Sequence, residues 1–293
     1  MRRAVFQTAR DWTNARQWQC TLKFVPRALV LDLDGTTIDH EQQLHPRVRA
    51  AVRAAAKRLP VIVATGRMYR SALPWARTLG VMEPMVCYQG AMVRGMPGAG
   101  GEPGEQIFER PLQAEPALRA LRVARDHGWH YQAYQDEELL CERDRPEARL
   151  YSHISGVPFR VVPDLAPLLT MGTTKAACVF EDLAEVDRAF GVMTRELGGL
   201  ARVTRSNPEF VEMLDIDVSK AGACEMVCER AGCTLADTLA IGDAPNDVEM
   251  LAAAGYAVGI STSRPEVLAV VDETCAPPQD AGVADVLEAF ELT

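Results

Sequence analysis

From Ala28 onward, strand-length apolar runs alternate with stretches that repeat their apolar positions at helical spacing. The run Ala28–Leu31 is followed by a helical pattern from Pro46 to Arg58, the run Val61–Ala64, a helical pattern from Met68 to Leu79, and the run Met85–Tyr88. Apolar runs without polar alternation are strands buried on both faces, and strands alternating with helices build a parallel sheet covered on both sides. The same rhythm returns late in the chain with a helix over Lys220–Ala231, a strand over Thr238–Ile241, a helix over Asp247–Ala254 and a strand over Tyr256–Gly259. Between the two blocks, the Gly/Pro-rich stretch Gly95–Gly104 reads as a linker. Residues 106–214 then mix helices around Glu115–His127 and Leu183–Leu197 with strands around Tyr131, Ala177 and Phe210. The expected fold class is α/β: a doubly wound parallel-sheet core made of residues 28–94 and 215–293, split by an inserted α/β domain over 95–214. An extension of residues 1–27 precedes it.

With 293 residues, 48% of them hydrophobic and 24% charged, the chain has enough apolar material for two packed units and too much for disorder. Its net charge of −9 gives no footprint for nucleic acid or an anionic membrane, so small molecules are the expected partners. The charge is uneven. Residues 1–27 carry Arg2, Arg3, Arg10, Arg16, Lys23 and Arg27 against Asp11 alone. That segment lacks the apolar core of a signal peptide and reads as a solvated extension. No run of 18 apolar residues occurs, so no membrane partner is expected and the expected location is cytoplasmic, as a monomer or homodimer. Eight cysteines lie scattered without a C-x-x-C pair, so free thiols are expected rather than a metal or redox centre.

The polar residues that matter sit where the apolar runs stop. In ALVLDLDGTTID, Asp32 and Asp34 lie two apart at the end of a strand and project from one side, at the edge where open α/β sheets bind ligands. Two such carboxylates repel each other unless a cation or a shared proton compensates. Gly35 lets backbone approach a ligand closely. The second strand ends in Thr65-Gly66-Arg67, a hydroxyl, a glycine and a guanidinium suited to phosphate oxygens. Lys220 follows Ser219, a helix cap, and so stands where the helix dipole disfavours a cation unless an anion is near. The strand of LAIGDAPNDVEM ends at Asp243, with Asn246 and Asp247 opening the next helix. Four carboxylates with one lysine carry net −3, which favours a divalent cation with oxygen ligands, magnesium before others.

DLDGT, Thr-Gly-Arg, a helix-opening lysine and GDxxND, in this order, resemble the four motifs of the haloacid dehalogenase (HAD) phosphatases. The chain TGRMYRSALPWARTLG to CYQGAMV, the long insertion and EFVEMLDIDVSKAGA are similar to the Cof-type branch, whose large α/β cap is inserted after the third core strand. The resemblance runs from Ala28 to the C-terminus. It implies a Rossmann-like HAD core and a Mg²⁺-dependent phosphatase acting on a small phosphorylated metabolite, such as a sugar phosphate or a cofactor-type phosphate. It further implies Asp32 as the nucleophile that becomes an aspartyl phosphate, and Asp34 as the acid and base. Mg²⁺ would be held by Asp32, the main-chain carbonyl of Asp34, Asp243 and Asp247, the last through water or by orienting Asn246. Thr65 and Lys220 would neutralise the phosphoryl group, with Gly35, Gly66, Arg67 and Asn246 lining its site. Gln89 stands where the family usually has Asn, Ala244-Pro245 where it has Ser or Lys, and Ser261-Thr262 where it has Asn-Ala. These departures keep every carboxylate and bear on substrate choice. A phosphomutase or phosphotransferase on the same core, and a non-enzymatic metabolite binder, are the other readings; the intact acid pair argues against the binder.

Overall fold

The computed structural model describes residues 24–98, 100 and 102–293. Most of the basic extension, with Cys20, lies outside the described residues. Along the chain, β1 (Ala28–Leu31), α1 (Pro46–Ala55), β2 (Val61–Val63), α2 (Tyr69–Leu79) and β3 (Met85–Cys87) lead into β4 (Met92–Arg94) and β5 (Gln106–Glu109). The inserted stretch supplies α3 (Ala114–His127), β6 (His130–Gln135), β7 (Glu138–Cys141), α4 (Pro146–Ser155), β8 (Phe159–Val161), β9 (Lys175–Val179), α5 (Leu183–Glu196), β10 (Ala201–Thr204) and β11 (Phe210–Asp215). The chain closes with α6 (Lys220–Arg230), β12 (Thr238–Gly242), α7 (Val248–Ala253), β13 (Tyr256–Ile260), α8 (Pro265–Leu268), β14 (Glu273–Cys275) and α9 (Gly282–Ala289).

The first sheet has the parallel order β14-β13-β12-β1-β2, continued to β3 by a parallel bridge between Ala64 and Val86. Leu29, Leu31, Val61, Val63, Leu239 and Ile241 pack with residues of α1, α2 and α9, whereas Ala28, Val30, Ile62 and Ala240 pack with residues of α6 and α7. Burial on both faces is why these strands read as unbroken apolar runs. Strand order runs one way from β1 through β2 and the other way through β12, so a crevice opens at the carboxyl ends of β1 and β12. Leu31 pairs with Ile241, which releases Asp32 and Asp243 from the sheet side by side.

The Gly/Pro-rich stretch expected as an interdomain linker closes a hairpin. Gly95 N–H donates to the Glu105 carbonyl at 2.8 Å, and β5 pairs antiparallel with β4. Glycine and proline serve a turn as readily as a linker, so composition alone does not separate the two. Beyond Leu112 the inserted residues build a second sheet of order β10-β11-β9-β6-β7-β8. Tyr131, Ala133, Ala176, Cys178, Val211 and Met213 alternate onto the face covered by α3 and α5. Tyr134, Ala177, Val179, Phe210 and Leu214 alternate onto the other face and share one apolar cluster with the first sheet. Among the described residues, all seven cysteines are free and buried, and no helix is long and apolar enough to cross a membrane.

Candidate active site

Four chain segments converge on the crevice. Asp32 leaves β1 nearly buried, and the Thr37 hydroxyl donates to its carbonyl at 2.6 Å, which turns the following loop back on itself. Gly35 adopts φ +82°, and a Cβ there would come within 2.5 Å of Asp243 Oδ2, so only glycine fits at this position. The Thr36 hydroxyl donates to Asp243 Oδ1 at 2.7 Å and ties the first segment to the fourth.

Lys220 opens α6, whose N-terminus is capped by Ser219 Oγ accepting from Gly222 N–H at 3.1 Å. Its ammonium is fully buried, 2.5 Å from Asp32 Oδ1 and 2.7 Å from Asp247 Oδ1. Burial works against that charge, but Asp247 and then Asp32 outweigh it and hold the lysine protonated above its ordinary range. The anion expected beside this helix-opening cation is therefore present twice. Burial likewise pushes the Asp32 carboxyl well above its usual range; Lys220 opposes the shift, while Asp247 and Asp243 add to it. Asp247 Oδ2 accepts the backbone N–H groups of Asp243 and Ala244, both at 3.1 Å, and so fixes the fourth loop directly.

Oxygens of Asp32, Asp243 and Asp247 lie within 4.8 Å of one another. Burial first, and Asp247 second, push the Asp243 carboxyl up to about 7. Crowded hard oxygen donors that resist ionisation together are the donor set a small divalent cation relieves. The Asp34 carboxylate lies outside this set. Arg67 grips it with both arms of its fork, Nε at 2.7 Å and Nη2 at 2.6 Å, while Nη1 donates to Ser71 and Nη2 also to Gln42. Arg67, read from the sequence as a phosphate ligand, thus spends its donors on Asp34 and its neighbours. Thr65 is fully buried and its Oγ1 accepts from Arg67 N–H at 3.1 Å, shaping the Thr-Gly-Arg turn. One end of the Asn246 amide lies 2.7 Å from Gln89 Oε1 and 3.1 Å from Lys220 Nζ: with nitrogen there it donates to Gln89, and turned over its oxygen accepts from Lys220 while its nitrogen donates to the Arg205 carbonyl at 3.2 Å.

The inserted sheet roofs this constellation. A cleft runs from Asp32, Asp34 and Gly66 to Tyr151, Phe210 and the buried pair Lys175–Glu212. Sequence reasoning missed these roof residues. A signal was there: Glu212 interrupts the apolar run FVEML, and alternation places it on the face opposite Val211 and Met213.

A doubly wound sheet that gathers carboxylates and a buried ammonium at the reversal of its strand order has them at the edge where open α/β sheets bind ligands. The family model of the haloacid dehalogenase-like hydrolases matches residues 29–287, and the chain belongs to that family. Among curated relatives, an HMP-PP phosphatase of Serratia proteamaculans is 26% identical over 253 residues, covering 84% of this chain and 88% of the relative. A phosphoglycolate phosphatase of Archaeoglobus fulgidus is 25% identical over 269 residues, covering 92% and 99%. Among solved structures, a Thermotoga maritima protein superposes with a TM-score of 0.74 at 27% identity, covering 90% of this chain and 97% of that one.

Proposed function

We propose that the chain is a Mg²⁺-dependent phosphatase that hydrolyses a small phosphorylated metabolite by way of an aspartyl phosphate, the inserted sheet serving as its cap. The carrying observation is that Asp32, at the end of β1, meets the buried Lys220 and the Asp243–Asp247 pair that follows the neighbouring strand β12, with Asp34 two residues on held by Arg67. The named activities of the two curated relatives, both phosphatases, support the same reading.

Asp32 attacks phosphorus, the ester oxygen departs with a proton from Asp34, and water activated by Asp34 then cleaves the acyl phosphate. Lys220 and the Thr65–Gly66 turn oppose the negative charge of the transferring group. Asp32, Asp243 and Asp247, with the Asp34 carbonyl, would hold Mg²⁺, which when bound supplies the positive charge that lets a phosphate dianion approach these carboxylates. Arg67 holds the Asp34 carboxylate at the cleft through both oxygens, and one of them must leave this grip to carry the proton that the ester oxygen takes. The cleft under Tyr151 and Phe210 takes the organic part of the ester.

The test is turnover of a panel of phosphorylated metabolites and p-nitrophenyl phosphate by wild-type protein and Asp32→Asn. Activity that needs Mg²⁺, disappears with chelator and is lost in a folded Asp32→Asn variant is the expected result. Undiminished turnover in the variant would remove the nucleophile assignment and the reading with it.

A further inference from the structure

Lys175 and Glu212 are each 1% exposed, and the reaction proposed above has no chemical step for either. They stand on neighbouring strands of the inserted sheet, β9 and β11, on the face turned to the first sheet. Lys175 Nζ lies 2.5 Å from Glu212 Oε1, donates to the Gly66 carbonyl at 2.8 Å, and sits 4.7 Å from the centre of the Tyr134 ring. The other Glu212 oxygen accepts from Gln89 Nε2 at 2.7 Å, and Gln89 Oε1 meets the Asn246 amide. Two roof side chains therefore hold residue 66 of the second loop and residue 89 of the third, and through Gln89 they reach the fourth. The loops are packed at contact distance, since a Cβ on Gly66 would come 2.3 Å from Gln89 Nε2.

A buried ion pair is a poor source of stability, because desolvation of both charges offsets their attraction and apolar side chains of similar volume often serve the fold as well. Its value here lies in where its hydrogen bonds end. We propose that Lys175 and Glu212 are positioning residues that couple the seating of the inserted sheet to the geometry of the phosphate-holding loop. With the sheet seated, Lys175 fixes the Gly66 carbonyl and Glu212 fixes Gln89, and the Thr65–Gly66 turn is then set opposite Asp32. The inference rests on the phosphatase reading, and neither residue touches the reacting atoms.

The test is the double variant Lys175→Met/Glu212→Met, which removes both charges at nearly constant length and volume. Its melting temperature is expected at or above that of wild type. Its kcat for p-nitrophenyl phosphate with Mg²⁺ is expected to fall about 10- to 100-fold, the scale of a small misplacement of reacting groups. Orthovanadate should bind more weakly by a similar factor. A purely structural pair predicts the opposite pattern: a stable double variant with wild-type kcat and wild-type orthovanadate affinity overturns the proposal. Gln89→Met carries the test should the double variant not fold, since it leaves the ion pair intact and cuts the link from Glu212 to the third loop and, through it, to Asn246. A several-fold fall in its kcat with KM unchanged is expected, and an unchanged kcat overturns the coupling. Wild-type protein inactive on every ester would instead remove the phosphatase reading, so the two failures are distinct.

Discussion

Asp32 and Asp34 share a strand end and differ in surroundings. Asp32 is walled in beside a buried ammonium, whereas the Asp34 side chain keeps about a quarter of its surface open and is clasped by Arg67. The closed setting suits a nucleophile and the open one a group that exchanges protons with a leaving alcohol. Asp34→Asn should lower turnover about 10²- to 10⁴-fold, and the loss in single-turnover phosphorylation should be smaller for an aryl than for an alkyl phosphate. Equal losses would contradict the acid role. The pH response of the metal-free site belongs to Asp32 and Asp243, both raised by burial; the Asp243 carboxyl is pushed up to about 7 when folded and titrates near about 4 when unfolded. Between those values the folded chain holds a proton that the unfolded chain has released, so stability falls as pH rises through that window. Below it both states are protonated; above it both are ionised and the loss is complete. In chelator, the melting temperature should drop from pH 5 to pH 8, and Mg²⁺ should raise it more at pH 8. A Mg²⁺ shift of equal size at both would show that these raised carboxyls are not the groups relieved.

At the scale of elements, what the sequence made legible followed burial. β1, β2, β12 and β13 are covered on both faces and stood out as apolar runs, and the ends of β1 and β12 carried the acids. Elements with a half-polar pattern did not stand out: β8 has an exposed pair at Arg160 and Val161, and β7 begins at the exposed Glu138. The β4–β5 hairpin was hidden because its turn has the composition of a linker. Lys175 and Glu212 escaped because each is a lone charge in an apolar strand whose partner is remote in sequence, and only the pairing of β9 with β11 brings them together. The junction of the third loop with α6 was also invisible, yet it is among the tightest in the molecule. Gly90 has φ +101°, and a Cβ there would lie 2.2 Å from the Ser219 carbonyl, a backbone atom that cannot swing aside. Gly90→Ala should therefore push the start of α6 and withdraw Lys220 from Asp32. A lower melting temperature together with a fall in kcat is expected, and a variant unchanged in both would show that α6 moves freely against this loop.

For the whole molecule, the arrangement is a closed one, since apolar residues of the inserted sheet and of the core form a single cluster over the crevice. A substrate entering the cleft needs that contact to part, so the balance between seated and lifted cap governs access as well as chemistry. A polar latch sits at the edge of the contact. Glu137, in the turn between β6 and β7, accepts from the Arg70 backbone N–H at the start of α2 at 2.7 Å and from the Tyr88 hydroxyl at 2.8 Å, while its carbonyl accepts from Arg70 Nη1 at 3.1 Å. Both Asp136 and Glu137 hold positive φ, so the turn is shaped to deliver that carboxylate. A buried hydrogen bond to a charged group contributes about 1.5 to 3 kcal/mol; Glu137 lies at a solvent-exposed edge, where such contacts are worth about 0.2 to 1 kcal/mol each, so loss of its two bonds in Glu137→Ala would shift the cap equilibrium toward the lifted state by about tenfold. The backbone remains able to form the turn, so folding of the two sheets is not at stake. Amide hydrogens of the β6–β7 turn and of α4 should exchange faster in the variant, and KM for an ester large enough to touch the roof should rise, by about tenfold at most. Turnover of p-nitrophenyl phosphate at saturation should change far less, because a substrate that makes few roof contacts gains little from the latch. Exchange rates and KM both equal to wild type would show that the apolar cluster alone keeps the cap seated.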